Sequence, residues 1–266
     1  AFKMDGLGND FVIIDRRKKE VNLSKEQIVK IGNRNNVGFD QIIFIEKKFD
    51  NAFPIKIYNS DGVEVGACGN GSRCVAYLIS KENNQKKVSI KTAERVLDAE
   101  IVGEKNVKIN MGKPKFNWNE IPLSKEMNTE YVGIDFIKED FGHGFCLNIG
   151  NPHIIYFVSD CSKINIKELG PKIENYKIFP ERVNVTFAEL LDKENIKVNV
   201  WERGAGQTKA CGTAACATAR AACSLGLANV NSNVHFKYGS LQIYCETDDI
   251  FMTGPVSEVK KINLKI

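Results

Sequence analysis

Segments in which apolar and polar residues alternate predict most of the secondary structure of this chain. Alternation with a period of two is typical of strands that bury one face and expose the other. Strands of this kind are expected at residues 88–91, 107–110, 234–237 and 241–244. Because such segments are short and numerous while clear helices are few, the pattern favours a sheet-rich protein.

Each half of the chain contains one clear helix, and both helices follow a cysteine. The helix after Cys68 is expected to run to about Ser80, with one apolar side that consists of Cys74, Val75, Leu78 and Ile79. The helix after Cys211 is different, because small apolar residues surround it: Ala214, Ala215, Cys216, Ala217, Ala219, Ala221 and Ala222. A helix that is apolar nearly all round belongs in the interior. Gly226 is its expected C-cap, and Ser24 with Gln27 forms a capping box that predicts an additional helix over 24–32.

Four segments of the chain recur in the same order at an offset of about 142 residues. The pairs are 8–14 with 150–156, 55–58 with 198–201, Cys68 with Cys211, and 107–112 with 250–254. One such match is weak, but four in order indicate a duplicated domain.

The duplication predicts an α/β (α+β-like) fold with two pseudo-symmetric domains. Each domain is expected to be a curved, mostly antiparallel sheet around a central helix. The first domain is expected to span residues 1–112 and the second residues 113–256, with a C-terminal strand at 257–266 that joins the first. Pro114 and Pro122 are expected to mark the connection.

The composition is that of a globular protein without a nucleic-acid or membrane partner. Of the 266 residues, 43% are hydrophobic and 26% are charged, the net charge is only +4, and no block of five like charges occurs. No apolar segment is long enough to span a bilayer. Eight cysteines without a secretion signal favour free thiols and a cytoplasmic location.

Candidate chemistry comes from the tripeptide Ala-Cys-Gly, which occurs at 67–69 and again at 210–212. A cysteine at the start of a helix lies in the positive end of the helix dipole, which favours the thiolate. Two such cysteines in matched domains suggest a base and an acid on opposite faces of one carbon. The amide N–H groups at Gly69–Asn70 and Gly212–Thr213 could hold a carboxylate between them. The other six cysteines are expected to be core residues.

Polar side chains at strand ends are expected to bind a small zwitterionic ligand. Asn9 and Asn151 occupy equivalent places in the repeat, as do Gln41 and Asn184. Asn59 ends the strand that leads to the first cysteine, and Glu202–Arg203 end the strand that leads to the second. Arg203 is suited to a carboxylate and Glu202 to an ammonium group. His153 is a candidate for tuning a nearby charge.

Six segments together resemble the diaminopimelate epimerase family, and they span both halves: Gly6–Phe11, Asn59–Gly62, Ala67–Cys74, Gly150–His153, Trp201–Gly206 and Ala210–Ala214. The resemblance implies two pseudo-symmetric α/β domains and a bacterial-type isomerase of lysine and peptidoglycan precursor biosynthesis. Such an enzyme interconverts LL- and meso-diaminopimelate with a thiolate and a thiol, without pyridoxal phosphate or another cofactor and without a metal.

The resemblance also implies roles for individual residues. Cys68 and Cys211 would be the two proton-transfer residues, and His153 and Glu202 would support catalysis. Substrate binding would fall to Asn9, Gln41, Asn59, Gly69, Asn70, Asn151, Asn184, Glu202, Arg203, Gly212 and Thr213. A homodimer is implied less firmly, because Lys260 stands where some members carry an aromatic residue at the dimer contact.

Several alternatives stay open at this point. A related cofactor-free racemase of the proline-racemase type shares the two thiols, and a non-enzymatic binder of small amino acids would need the cysteines only for packing. A pyridoxal-phosphate enzyme would use Lys209, which lacks a phosphate-binding context. A zinc site does not fit the spacing of the cysteines.

Overall fold

The computed structural model describes residues 1–66, 68–137, 141–245 and 247–264. Ala67 of the first Ala-Cys-Gly tripeptide and residues 265–266 of the expected C-terminal strand lie outside the described residues. The chain divides into two compact units, of which the first contains residues 1–110 and 253–266 and the second residues 111–252. Pro114 and Pro122, expected at the connection, both belong to the second unit. None of the helices in the described residues is long and apolar enough to cross a membrane.

The first unit is a mixed sheet with two helices. Its elements are β1 (Phe2–Gly6), β2 (Asn9–Asp15), α1 (Lys25–Gly32), β3 (Gln41–Ile45), β4 (Phe53–Asn59), β5 (Glu64–Val65), α2 (Gly69–Asn83), β6 (Lys87–Lys91), β7 (Val96–Gly103) and β8 (Asn106–Asn110). Strand β1 pairs antiparallel with β2, β2 parallel with β3, and β3 antiparallel with β4. Strand β4 then pairs antiparallel with β5 and parallel with β6, and β6 antiparallel with β7.

The second unit repeats this order of elements. It contains β9 (Phe145–Asn148), β10 (Pro152–Phe157), α3 (Ile166–Glu174), β11 (Asn184–Leu190), β12 (Asn195–Glu202), β13 (Gly206–Gln207), α4 (Gly212–Ser224), β14 (Asn231–Phe236) and β15 (Gly239–Tyr244). Strands β16 (Phe251–Pro255) and β17 (Lys260–Lys261) follow, and β17 pairs with β1 in the first unit.

Strand pairing in the second unit matches that of the first, pair for pair. Strand β9 pairs antiparallel with β10, β10 parallel with β11, and β11 antiparallel with β12. Strand β12 pairs antiparallel with β13 and parallel with β14, and β14 antiparallel with β15. Six pairings that agree in order and in sense confirm the predicted duplication and the predicted mostly antiparallel sheets.

Helices α2 and α4 are the central helices of their units. Helix α4 is buried on all sides, as its small residues predict, and it packs against strands from β9 to β15. In helix α2 the burial extends beyond the predicted apolar side, since every residue from Asn70 to Ser80 is buried. Within the helix, the Arg73 Nη2 donates to the Asn70 Oδ1 at 2.9 Å.

The predicted helix ends are largely confirmed. In α1 the Gln27 N–H donates to the Ser24 hydroxyl at 3.3 Å, and the Ser24 N–H donates to the Gln27 side-chain oxygen at 2.8 Å, which completes the capping box. At the end of α4 the cap is Leu225 rather than Gly226. Gly226 follows it with a φ of +69°, the left-handed conformation that glycine adopts without strain.

Candidate active site

Both cysteines of the Ala-Cys-Gly tripeptides are the N-caps of their central helices. Cys68 caps α2, and its Sγ accepts the N–H of Gly71 at 3.4 Å. Cys211 caps α4, and its Sγ lies 3.4 Å from the Thr213 Oγ1. Each sulfur therefore stands at the open N-terminus of a buried helix, where backbone N–H groups favour negative charge.

In the first unit, the first turn of α2 packs on the strands that carry the predicted amides. A Cβ on Gly71 would lie 2.6 Å from the Cδ1 of Ile43, so only glycine lets the helix approach strand β3 this closely. A Cβ on Gly6 would lie 3.4 Å from the Cβ of Asn70, which brings the end of β1 against the same turn. The same Cβ on Gly71 would lie 3.5 Å from the Cys68 Sγ and 3.4 Å from the ring of Phe11. Cys68 therefore lies near strand β2, which begins at Asn9.

The predicted amides of the first unit lie at adjacent strand ends. Gln41 begins β3 directly opposite Asn59 at the end of β4, and the Gln41 Nε2 donates to the Asn59 Oδ1 at 3.0 Å. The side-chain oxygens of Asn9 and Gln41 are buried and have no hydrogen-bond partner among the described residues. Buried polar atoms are rarely left in this state. They are suited to receive the N–H groups of a ligand.

An ion-pair cluster fixes these strand ends. Arg34 binds the carboxylate of Asp10 at 2.7 Å and also that of Asp40. Asp10 and Asp40 bond to each other's backbone, with the Asp40 N–H donating to the Asp10 carbonyl at 2.9 Å. Burial would raise the pKa of Asp10, but hydrogen bonds and charge from Arg34 and Lys3 hold that pKa below its ordinary range. The cluster sets the positions of two predicted amides, because Asn9 precedes Asp10 and Gln41 follows Asp40 in the chain.

In the second unit, a fully buried histidine lies beside the predicted amides. The His153 Nε2 lies 2.8 Å from the Asn151 Oδ1, and because an amide oxygen only accepts, Nε2 carries the proton. The His153 Nδ1 is buried and has no hydrogen-bond partner among the described residues. Burial first, and the charge of Arg203 second, lower the pKa of His153 to about 3. The ring is therefore neutral at physiological pH.

The duplication assigns His153 a counterpart in the first unit. His153 lies opposite Asn184 in the β10–β11 register, and Phe11 lies opposite Gln41 in the β2–β3 register. The side chains of His153 and Phe11 are both completely buried. The second unit thus has a polar ring where the first has an apolar one, and packing alone does not account for it.

The side chain of Asn184 hydrogen-bonds to two backbone groups. Its Nδ2 donates to the Pro152 carbonyl at 2.8 Å, and its Oδ1 accepts the N–H of Arg203 at 2.9 Å. It therefore joins the start of β10 to the end of β12. The Arg203 guanidinium donates to the carbonyl of Glu181 at 3.0 Å.

Half-buried Glu202 and buried Cys211 form an acidic pair. The Cys211 thiol hydrogen-bonds to the Glu202 carboxyl, which also accepts from the Thr208 hydroxyl. Burial raises the pKa of both groups, and the Glu202 charge raises that of Cys211 further, to well above its usual value. The expectation that the helix start lowers the pKa is wrong for Cys211, because burial outweighs the contributions of Thr213 and the Ala214 N–H, which lower it.

One further residue of this region was not predicted from the sequence. Glu174, the last residue of α3, is 5% exposed and accepts the indole N–H of Trp201 at 2.7 Å and the N–H of Gly204 at 2.8 Å. Arg182 also pairs with it at 3.3 Å. A glutamate followed by an asparagine at a helix end has no sequence signal that separates it from an exposed residue.

The described residues contain no disulfide, and the eight cysteines are thiols. They also contain no group of three or more histidine, cysteine or acidic side chains that could hold a metal ion. The predicted site residues thus form two sets, one within each unit. Each set consists of a cysteine at a helix start with amides or a carboxyl at the neighbouring strand ends.

Comparison with known proteins identifies the family to which the chain is similar. The family model described as diaminopimelate epimerase matches residues 1–117 and 145–259. The diaminopimelate epimerase of Pelagibacter ubique is 50% identical over 270 residues, covering 100% of this chain and 98% of that protein. The diaminopimelate epimerase of Acidiphilium cryptum is 39% identical and covers 97% of this chain and 93% of that protein. Among solved structures, a predicted epimerase from Pseudomonas aeruginosa has the same fold, with a TM-score of 0.69 at 15% identity over 99% of each chain.

Proposed function

The chain belongs to the diaminopimelate epimerase family, and we propose that Cys68 and Cys211 are the acid–base pair of its reaction. The enzyme is an isomerase that converts LL-2,6-diaminopimelate to the meso isomer without a cofactor, in lysine and peptidoglycan precursor biosynthesis. The observation that carries the assignment is the placement of both cysteines as N-caps of equivalent buried helices. The duplication makes them structural counterparts, one in each unit.

The proton steps follow from the two thiols. With LL substrate, the Cys211 thiolate takes the α-proton from one face of the carbon, and the Cys68 thiol delivers its proton to the other face. Cys211 then holds a proton and Cys68 is the thiolate, so the meso isomer reacts by the same steps in reverse. Glu202 is suited to receive the Cys211 proton before the reaction, because the two groups share a hydrogen bond and burial raises the pKa of the Glu202 carboxyl.

Charge that develops during proton removal needs stabilisation. An α-proton of an amino acid is weakly acidic, and the carbanion places charge on the carboxylate oxygens. The backbone N–H groups at Gly69–Asn70 and Gly212–Thr213 supply preorganised donors for that charge. This use of helix termini also explains why both cysteines are followed by glycine, which leaves the first turn open to a ligand.

Recognition of the distal amino-acid group would select the substrate. Asn9, Gln41, Asn59, Asn151, Asn184 and Arg203 are the proposed ligands of this end. The buried acceptors of Asn9 and Gln41 suit its ammonium group. Arg203 suits its carboxylate. Neutral His153 would support catalysis by holding Asn151 through its Nε2–H.

The runner-up, a two-thiol racemase of the proline-racemase type, is disfavoured by the family match and by the identity to diaminopimelate epimerases. A non-enzymatic binder is disfavoured on the same grounds. A cytoplasmic location is also proposed, with the thiol state of the eight cysteines as its support. A homodimer is proposed from the family resemblance alone.

The function is tested by following α-deuteration of LL-diaminopimelate in D2O by NMR. We expect the wild-type protein to exchange and invert the α-carbon, and Cys68→Ala and Cys211→Ala each to abolish inversion. Cys223→Ala, in the same chain and half-buried, is the matched control and should keep wild-type activity. Exchange of proline or hydroxyproline instead of diaminopimelate would overturn the assignment. Full activity of either cysteine variant would overturn the roles of the thiols.

A further inference from the structure

Glu174 bonds to the residues on both sides of the Glu202–Arg203 dipeptide. Its Oε2 accepts the indole N–H of Trp201, which precedes the dipeptide, at 2.7 Å. Its Oε1 accepts the backbone N–H of Gly204, which follows the dipeptide, at 2.8 Å. One buried carboxylate therefore bonds on both sides of Glu202 and Arg203. In the proposed function, Glu202 exchanges a proton with Cys211 and Arg203 binds the substrate.

The same carboxylate also reaches Arg203 by a second path. Glu174 pairs with Arg182 at 3.3 Å. The preceding residue, Glu181, offers the carbonyl to which the Arg203 guanidinium donates at 3.0 Å. Glu174 thus fixes the position of residues 181–182, which bind the Arg203 side chain. It also fixes the turn at Gly204, which follows Arg203 in the chain.

The turn after the dipeptide is one that needs an external anchor. Gly204 has a φ of +75° and Gly206 a φ of +85°, and within the turn the Ala205 N–H donates to the Glu202 carbonyl at 3.0 Å. Two glycines so close together give the backbone wide conformational freedom. The Glu174 bond to the N–H of Gly204 removes that freedom at the residue next to Arg203.

Helix α3 holds Glu174 firmly against Trp201. A Cβ on Gly170 would lie 2.5 Å from the indole ring, so the helix and the ring are in the closest contact that glycine allows. Glu174 follows one turn later on the same helix and is 5% exposed. A buried carboxylate is costly unless it is hydrogen-bonded. Here its two shortest bonds lead to the residues on either side of Glu202–Arg203, and a third leads to Arg182.

We propose that Glu174 is a positioning residue for the epimerase reaction: it orients Glu202 toward Cys211 and Arg203 toward the substrate by bonding to Trp201 and Gly204. This inference rests on the proposed function. Glu174 itself contacts neither Cys211 nor a substrate, and it acts through the turn it anchors.

The test compares Glu174→Gln and Glu174→Ala with the wild-type enzyme in kcat and KM for LL-diaminopimelate. A misplacement of about 1 Å costs up to roughly 100-fold in rate, so we expect kcat/KM to fall about 100-fold for Glu174→Ala and about tenfold for Glu174→Gln, which keeps one acceptor. KM should rise in both, because Arg203 is displaced. Loss of folded enzyme would lower the apparent kcat and leave KM unchanged.

Glu168→Gln is the matched control, since Glu168 lies on the same helix but is exposed and pairs only with neighbours on that helix. It should leave kcat and KM unchanged. Trp201→Phe removes one of the three described groups that donate to Glu174, which are Trp201, Gly204 and Arg182. In the Trp201→Phe background, the NH2 group that Glu174→Gln introduces no longer faces an indole N–H. Glu174→Gln should therefore lower kcat/KM by a smaller factor there than in the wild type.

The indole N–H resonance of Trp201, assigned by its loss in Trp201→Phe, reports the contact without any activity. We expect it to shift in Glu174→Gln and to stay in place in Glu168→Gln. A wild-type protein that does not epimerise diaminopimelate would overturn the proposed function and with it the positioning role, whereas the resonance would still report whether Glu174 bonds to Trp201. An unshifted resonance would overturn the contact, and a shifted resonance with unchanged KM would overturn the positioning role. Should Glu174→Ala not fold, Glu174→Gln and Trp201→Phe carry the same test.

Discussion

His153 makes the folded protein sensitive to acid, and the size of the effect follows from its surroundings. Burial lowers the pKa of His153 to about 3 from an ordinary 6.5. The folded protein therefore leaves the ring neutral at pH 5, whereas the unfolded chain binds a proton there. The state that binds more protons is stabilised as the pH falls. Here that state is the unfolded chain. The stability that His153 contributes is present above pH 6.5 and is lost as the pH falls toward 3.

The magnitude at pH 5 is set by proton binding to the unfolded chain. With a pKa of 6.5 that binding is worth about 2 kcal/mol at pH 5 and almost nothing at pH 8. Phe11, which occupies the equivalent position in the first unit, indicates the variant to use. His153→Phe keeps a flat ring and removes the titrating group. Its free energy of unfolding should fall between pH 8 and pH 5 by about 2 kcal/mol less than that of the wild type.

The measurement is urea unfolding followed by tryptophan emission at the two pH values. Both tryptophans, Trp118 and Trp201, lie in the second unit with His153, so the signal reports the unit in question. Loss of the bond to Asn151 lowers the variant's stability at both pH values and cancels in the difference. His143→Phe, which replaces an exposed histidine, should keep the wild-type difference. An identical pH dependence in His153→Phe and the wild type would refute the reasoning.

Two further variants test the packing behind each half of the site. Gly170→Ala places a Cβ 2.5 Å from the Trp201 ring and should destabilise the protein by about 1–3 kcal/mol in urea unfolding, whereas Gly103→Ala, with no atom closer than 3.9 Å, should have little effect. Arg34→Ala removes a half-exposed ion pair worth roughly 0–1 kcal/mol in stability. It should nevertheless raise KM for diaminopimelate, because Arg34 fixes the strand ends that carry the amides, and an unchanged KM would contradict that role.

The features predicted from sequence are those with a local signal. The capping box at Ser24 and Gln27, the alternating strands and the small residues of α4 each act over a few neighbours, and the structure confirms them. Helix α3 was missed, because Gly170 and Pro171 lower helix propensity in its interior. Its stability comes from packing against Trp201, which lies far away in the chain.

Burial and electrostatics were predicted less well, because they depend on the whole unit. The full burial of α2 could not be inferred from a sequence that contains Asn70, Ser72 and Arg73. The raised pKa of Cys211 results first from the burial of its thiol and then from the charge of Glu202 beside it. The roles of Glu174 and Asn184 follow from hydrogen bonds that join distant strands and turns, and no motif encodes those bonds.

The pairing of β1 with β17 has a consequence for how the chain is made. One side of β1 pairs with β2, which follows it directly in the chain. The other side pairs with β17, which contains Lys260 and Lys261 and is synthesised much later. Synthesis proceeds at about 5–20 residues per second, so the intervening stretch of about 250 residues takes roughly 12–50 s on the ribosome. During that interval β1 has an open edge while the whole second unit emerges. An open strand edge invites pairing with other chains. The nascent protein therefore has its greatest exposure to misassembly before Lys260 and Lys261 leave the ribosome, and β1 is paired on both sides only after they do.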